Sequence, residues 1–129
     1  MSGNYFIGNP LSRDPSSLVH LDLSESLSNY EQLANLTSCS ALDGLEYLGL
    51  MSCNINSHGL RTVALSYNLR NLKILILRDN LISDVKHVSS EETDMKKVMK
   101  LEVLDVSKNK IRKGKKVDPM FANTVVFLW

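Results

Sequence analysis

The chain has 129 residues, enough for about one domain, and its 43% hydrophobic and 22% charged residues exclude wholesale disorder. No stretch approaches the roughly 20 apolar residues that span a bilayer, which excludes a membrane-spanning helix on hydropathy. The net charge of +1 is unevenly spread, with −5 in residues 1–60 and +6 in residues 61–129, so the two halves offer partners opposite signs.

The first residues indicate the compartment. Residues 1–15 contain no charged leader followed by an apolar run, so we expect no secretory signal. The two cysteines, Cys39 and Cys53, are too few for a disulfide framework and suit a reducing compartment. Cytoplasmic location is therefore predicted. Residues 1–17 hold glycines and prolines but no complete repeat, and are predicted to be an irregular segment or the remnant of a preceding repeat.

A repeat then runs through the chain. Similar segments start at Leu18, Leu45, Leu72 and Leu101, with spacings of 27, 27 and 29 residues. The last three match L-x-x-L-x-L-x-x-(N/C)-x-L in full, whereas the first has Ser26 at the Asn/Cys position. We therefore predict one repeat domain over residues 18–129, with repeats starting at those four leucines and a truncated fifth from about residue 125.

Helical spacing is predicted between the strands, in three segments and in a short fourth one that Pro119 opens. The third segment, "EETDMKKVMK", also places acids in its first turn and lysines in its last, as the helix dipole favours. The residues predicted to face inward are Tyr30, Leu33, Ala34, Leu60, Val63, Ala64, Tyr67, Met95, Val98, Met99, Met120 and Phe121.

This pattern resembles the leucine-rich repeat superfamily, and the long period resembles its ribonuclease-inhibitor-like branch. The resemblance implies an α/β solenoid of about four repeats, with a curved parallel sheet on the concave face and helices on the convex face. Alternation along a strand turns Leu48 and Leu50 inward and Tyr47 outward. The side chains at the Asn/Cys position are expected to satisfy backbone groups where the chain leaves each strand, as a structural ladder of Cys53, Asn80 and Asn109.

The outward side chains of the strands form the candidate partner-binding surface. Stacking the repeats brings together apolar and aromatic residues flanked by charge, as is typical of protein-binding sites. The predicted partner-binding residues are Tyr47, Met51, Ile74, Ile76, Arg78 and Val103. The alternative is that flanking domains of a larger parent protein cover this surface.

The C-terminal sequence "TVVFLW" resembles the start of a further strand and would cap a repeat domain poorly. Val125, Phe127 and Trp129 would leave the last unit's core open to water. We therefore expect a longer solenoid, a covering partner, or self-association through this edge.

Residues 108–116, "KNKIRKGKK", contain six basic side chains. Asn109 and Ile111 belong to the repeat, so the residues free to contact an anion or an anionic lipid surface are Arg112, Lys113, Lys115 and Lys116. Nucleic acid is disfavoured as a partner because no Tyr or Phe lies between residues 68 and 120 to interleave with the charges.

No catalytic or metal-binding constellation is present in the sequence. The three histidines, His20, His58 and His87, lie in different repeats, and nothing fixes the geometry of Cys39 relative to His58. The cysteines and histidines lack C-x-x-C or H-x-x-H spacing, and no glycine-rich phosphate loop occurs. The sequence therefore predicts no enzymatic activity, metal or cofactor.

A narrower resemblance joins residues 112–121, "RKGKKVDPMF", to the repeat region of CARMIL proteins, and residues 16–24, "SSLVHLDLS", to another repeat of that family. These matches cover about twenty residues; Lys116 and Asp118 depart from the pattern, and nothing resembles the family's capping-protein motif, which follows its repeats. The resemblance implies a fragment or paralogue of a regulator of actin capping that acts on the actin cytoskeleton by protein binding. The alternatives are the sensor or autoinhibitory repeat region of a nucleotide-binding-domain receptor, or an anionic-lipid-binding adaptor that uses residues 112–116.

Overall fold

A computed structural model describes residues 18–85, 101–114, 117 and 121–129, and the backbone alone of residues 5 and 6. It contains a six-stranded sheet whose spatial order follows the chain. The strands are β1 (Tyr5–Phe6), β2 (His20–Asp22), β3 (Tyr47–Gly49), β4 (Ile74–Ile76), β5 (Val103–Asp105) and β6 (Val125–Phe127). Strands β2 to β6 are parallel, and β1 is antiparallel to β2. The predicted α/β class with a parallel sheet is confirmed.

The register keeps equivalent leucines side by side. Leu21 pairs with Leu48, Leu48 with Leu75, and Leu75 with Leu104. All four are at most 3% exposed, and they belong to one hydrophobic core. Because successive side chains of a strand point to opposite faces, burial of the middle residue leaves the first and third residues on the other face of the sheet, here called the outer face.

Two short helices, α1 (Tyr30–Thr37) and α2 (Ser57–Ala64), follow β2 and β3. Each begins after an asparagine whose side chain caps it: Asn29 accepts from the backbone N–H of Gln32, and Asn56 accepts from that of Gly59. An N-cap of this kind stabilises a helix by about 1 kcal/mol. The two asparagines are 27 residues apart in the sequence, so the capping signal repeats with the strands.

Packing between the helices explains a glycine in α2. A Cβ atom on Gly59 would lie 2.7 Å from the Cγ2 atom of Ile55 and 3.0 Å from the Cδ2 atom of Leu33. Leu33, Leu60 and Val63 are at most 2% exposed. Removing the side chain at residue 59 therefore lets α2 lie directly on the core.

Two of the predicted inward residues are on the surface. Tyr30 is 45% exposed and Tyr67 is 67% exposed. The α2 helix ends at Ala64, and a 3₁₀ turn over Tyr67–Leu69 buries Leu69 in place of Tyr67. The predicted helix containing Met95, Val98 and Met99 lies outside the described residues, as do Pro119 and Met120. Phe121 is described and buried.

The turn after each strand is held by the predicted ladder position. Asn80 is buried, and its Oδ1 atom accepts hydrogen bonds from the backbone N–H groups of Cys53 and Ile55, both at 2.9 Å. Its Nδ2 atom donates to the carbonyl oxygens of Leu50 and Leu77, both at 3.0 Å. One side chain thus bonds to the backbone of two successive units.

Asn109 and Cys53 occupy the equivalent positions of neighbouring units. Asn109 accepts from the N–H of Ile82 at 2.8 Å and donates to the carbonyl oxygen of Val106 at 3.0 Å. The Cys53 thiol, 2% exposed, donates to the carbonyl oxygen of Leu23 with a sulfur–oxygen distance of 3.4 Å. Ladder contacts of the same kind therefore connect the first four parallel strands.

The same turn contains a residue in the left-handed backbone region in each of the first four units. A non-glycine residue there is disfavoured by roughly 1–2 kcal/mol, so its recurrence indicates one turn geometry used four times. These residues are Glu25 (φ 66°), Ser52 (φ 58°), Asp79 (φ 61°) and Lys108 (φ 56°). Among the described helices, neither has the length and apolar character needed to cross a membrane.

Candidate protein-interaction face

The register aligns the outward residues in two columns across the sheet. The first column contains His20, Tyr47, Ile74, Val103 and Val125. The second column contains Asp22, Gly49, Ile76, Asp105 and Phe127. The first four members of each column are those that the repeat spacing aligns. The outer face therefore presents a continuous surface rather than isolated side chains.

An aromatic pair lies at the β2 side of this face. The rings of His20 and Tyr47 are stacked with centroids 3.9 Å apart and an interplanar angle of 4°. A Cβ atom on Gly49 would lie 2.8 Å from Asp22 Oδ1 and 3.3 Å from Tyr47 Cε1. The absent side chain at Gly49 thus gives the Asp22 carboxylate and the Tyr47 ring room to lie over the strand.

Tyr47 is the one described residue on this face with a perturbed pKa. Burial raises the pKa of its hydroxyl above 10.0, and the negative charge of Asp22 raises it further. Both effects disfavour the phenolate, because they remove solvent from the charged form and place a like charge near it. Tyr47 therefore contributes a neutral ring and a hydroxyl donor to the surface.

The centre of the face is aliphatic and partly exposed. Ile74, Ile76, Val103 and Met51 are all half-buried, so each leaves apolar surface in contact with water. These four and Tyr47 lie on the adjacent strands β3, β4 and β5 or on the turn after β3. Together with Arg78, they are the predicted partner-binding residues, and we call the set the outer-face patch.

The patch continues onto β6, which sequence reasoning treated only as a poor cap. Val125 lies beside Val103, and Phe127 lies beside Asp105. Val125 is 58% exposed and Phe127 is 50% exposed. Aligning "VVF" with "VLD" of the preceding repeat would have placed both residues in the columns, so the signal was present in the sequence.

Polar side chains at the rim are fixed by local hydrogen bonds. Asp22 Oδ1 accepts from the N–H of Ser24, and Asp105 Oδ1 accepts from the N–H and the hydroxyl of Ser107. The Arg78 guanidinium donates to Ser107 Oγ at 3.0 Å. The rim thus holds two carboxylates and one guanidinium in defined positions around the apolar centre.

The basic segment, defined as residues 108–116, is described only in part. Lys108, Lys110, Arg112 and Lys113 are exposed, and no salt bridge forms between them and any described acid. Gly114 has a positive φ of 89°, and a Cβ atom there would meet nothing within 4 Å. Lys115 and Lys116 lie outside the described residues.

The potentially reactive side chains are not brought together. His20 stacks on Tyr47, whereas His58 stacks on Tyr30 in the helical layer. Cys39 is exposed and Cys53 is buried. Within residues 18–85, 101–114 and 121–129, no three His, Cys, Asp or Glu side chains form a group that could hold a metal ion. His87 lies outside the described part of the chain.

Comparisons of the chain with protein-family models, with curated proteins and with solved structures find no match.

Proposed function

We propose that the chain is a non-catalytic protein-interaction module whose partner binds the outer-face patch. The observation that carries the proposal is the alignment of partly exposed Tyr47, Ile74 and Val103 on three adjacent strands. Apolar and aromatic anchors surrounded by a polar rim are typical of sites that dominate binding energy. Arg78, Asp22 and Asp105 supply that rim.

The architecture that we propose for this module is a leucine-rich repeat solenoid with the outer face on its concave side. Parallel strands at intervals of 27 to 29 residues, one left-handed residue in each of four turns, and repeated Asn or Cys bonds to the backbone support it. Small-angle scattering would test it, because a curved solenoid and a closed globule of this chain differ in radius of gyration.

The partner site is tested by changing the patch and an equally exposed region elsewhere. The patch variant is Tyr47→Ala with Ile74→Asp, and the matched control is Tyr67→Ala with Leu81→Asp, at residues 67% and 44% exposed. Partners would be captured from lysate by quantitative mass spectrometry and then measured with purified protein. We expect the patch variant to lose at least tenfold in affinity, equivalent to about 1.4 kcal/mol, while the control keeps it. Equal binding by both variants would exclude the outer-face patch.

The context that we propose for the module is a regulator of the CARMIL type that acts on the actin cytoskeleton. The match of residues 112–121 to the repeat region of that family supports this context. Sequencing the full transcript tests it: further repeats followed by a capping-protein-binding motif would support the context, and an adjoining nucleotide-binding domain would favour the receptor alternative.

The exposure of the basic segment favours a second role, binding to an anionic membrane surface. Clusters of four or more basic residues are attracted to acidic lipids by about 1 kcal/mol per residue near the surface. Co-sedimentation with phosphatidylcholine vesicles, with and without phosphatidylserine, would measure it. The test variant replaces Arg112, Lys113, Lys115 and Lys116 with Gln, and the control replaces Arg70 and Lys73 with Gln. Loss of binding in the control alone, or in neither variant, would reject this role.

A further inference from the structure

Strand β6 leaves one edge of the sheet open. It pairs with β5 on one side, and no other described strand pairs with it. Its exposed side chains are apolar: Val125 is 58%, Phe127 is 50% and Trp129 is 63% exposed. An open strand with exposed apolar side chains is a template for pairing with another chain. The β6 edge is therefore an interaction surface distinct from the centre of the outer-face patch.

The charge at the two ends of the sheet indicates which partner fits. The first unit, residues 18–44, carries four acidic side chains and no basic one. The described part of the last unit, residues 101–114, carries four basic side chains and two acidic ones. Glu25 and Glu31 at the first end are exposed, as are Arg112 and Lys113 at the last, and none of these four forms a salt bridge with a described residue. The ends are complementary in sign.

We propose that the β6 end of one copy docks on the β1–β2 end of a second copy, head to tail. The alternative self-contact, β6 against β6, would place two basic units together, and unlike charges attract where like charges repel. In the head-to-tail arrangement, Phe127 and its exposed neighbours are covered, and the acidic and basic ends are brought close. The partner that this edge fits is therefore another molecule of this chain.

Head-to-tail docking has a consequence for the size of the assembly. Each copy in such a contact keeps one free end, because the two surfaces involved are different. A contact of this kind adds further copies in an open series unless its rotation closes a ring. We expect the average mass to increase with concentration instead of stopping at a dimer.

Charge exchange between the two ends tests the proposal with the full chain. One variant makes the first end basic, through Glu25→Lys with Glu31→Lys, and the other makes the last end acidic, through Arg112→Glu with Lys113→Glu. Analytical ultracentrifugation at low ionic strength would measure the mass of each variant alone and of an equimolar mixture. Circular dichroism melts of both variants would establish that they fold.

We expect the unmodified chain to exceed its monomer mass of 14.5 kDa increasingly with concentration. Each folded variant alone should remain at 14.5 kDa, because its two ends then have the same sign. Mixing the variants should restore association, since each then meets an end of opposite sign. A wild-type chain that is monomeric throughout, a first-end variant that associates like wild type, or a monomeric mixture would each overturn the proposal.

A second pair of variants separates the edge from the rest of the surface. Phe127→Ser should reduce association, and Leu81→Ser, at a residue 44% exposed in a middle unit, should not. Ile74→Asp, which damages the outer-face patch, should leave self-association intact. Failure of self-association and failure of partner binding are therefore distinguishable. Equal association of the Phe127 and Leu81 variants would contradict docking through β6.

Discussion

Replacing Asn80 with alanine should be among the most damaging polar substitutions in the described chain. Asn80 is 5% exposed, and its side chain is the hydrogen-bond partner that the described chain gives to three backbone groups. They are the N–H groups of Cys53 and Ile55 and the carbonyl of Leu50. The carbonyl of Leu77 would keep its bond from Asn109.

The magnitude follows from these three groups. A buried backbone group left without a partner costs about 1–3 kcal/mol, and water that enters the vacated space recovers part of this. We therefore expect Asn80→Ala to lower the free energy of unfolding by about 3 kcal/mol. Domains of this kind are typically stable by only about 5–15 kcal/mol, so the loss would be a large fraction of the total.

Asn109→Ala is the matched control for this experiment. Asn109 is only half-buried, and its removal leaves two groups, the N–H of Ile82 and the carbonyl of Val106, without a described partner. It should cost clearly less than Asn80→Ala. Urea unfolding followed by far-UV circular dichroism gives both values, provided that the dependence on urea is the same. A loss below about 1 kcal/mol for Asn80→Ala, or a larger loss for Asn109→Ala, would refute the reasoning.

Three further substitutions have opposite expected signs or a defined pH dependence. Lys108→Gly should raise the free energy of unfolding by about 0.5 kcal/mol because φ is 56° there, whereas Lys110→Gly should lower it in the same urea experiment. Gly49→Ala should lower it by about 1 kcal/mol, because its Cβ atom would lie 2.8 Å from Asp22 Oδ1; an unchanged melting temperature would contradict the crowding. The folded-state pKa of Tyr47 is raised, so the folded state holds this proton more tightly than the unfolded state, and stability should fall as pH rises above about 10. Tyr47→Phe should lose less stability than wild type between pH 8 and pH 11 in thermal melts, and equal losses would contradict the shift.

The strands and their columns could be predicted because both follow from short-range periodicity. Alternation along a strand determines which residues face inward, and the 27-residue spacing determines which residues of successive strands are neighbours. The pairing of Tyr47 with Ile74, and of Ile74 with Val103, is therefore readable from the sequence and is observed. The side chains of the outer-face patch needed no further information to be grouped.

The ends of the helices could not be read from the same periodicity. The apolar spacing from Leu60 continues to Tyr67, but α2 ends at Ala64 and the chain enters a 3₁₀ turn. In a helix of eight residues the end is set by how the chain reaches the next strand, not by helical propensity. Tyr30 is outward for a related reason: at the first turn of α1 its ring stacks on His58, and its hydroxyl lies 3.0 Å from Thr62 Oγ1.

The pairing of β1 also exceeded what the sequence could show. Tyr5–Phe6 is a two-residue strand antiparallel to β2, and it does not fit the repeat pattern, so neither periodicity nor spacing identifies its partner. Such pairing depends on which edge of the sheet is open once the repeats have stacked. The repeat predicts the interior of the sheet, whereas its two edges are determined by the tertiary structure.

The ladder position shows why a sequence template can be correct without explaining its own alternatives. The template accepts Asn or Cys, yet the two residues do different work here. Asn80 must accept from two N–H groups of the preceding turn. At the turn before Cys53, the corresponding groups already have acceptors, because the N–H of Ser26 bonds to the carbonyl of Leu23 and that of Ser28 bonds to Gln32 Oε1. A thiol that only donates is therefore sufficient at residue 53, and the glutamine that makes it sufficient is also the residue whose N–H is capped by Asn29 at the start of α1.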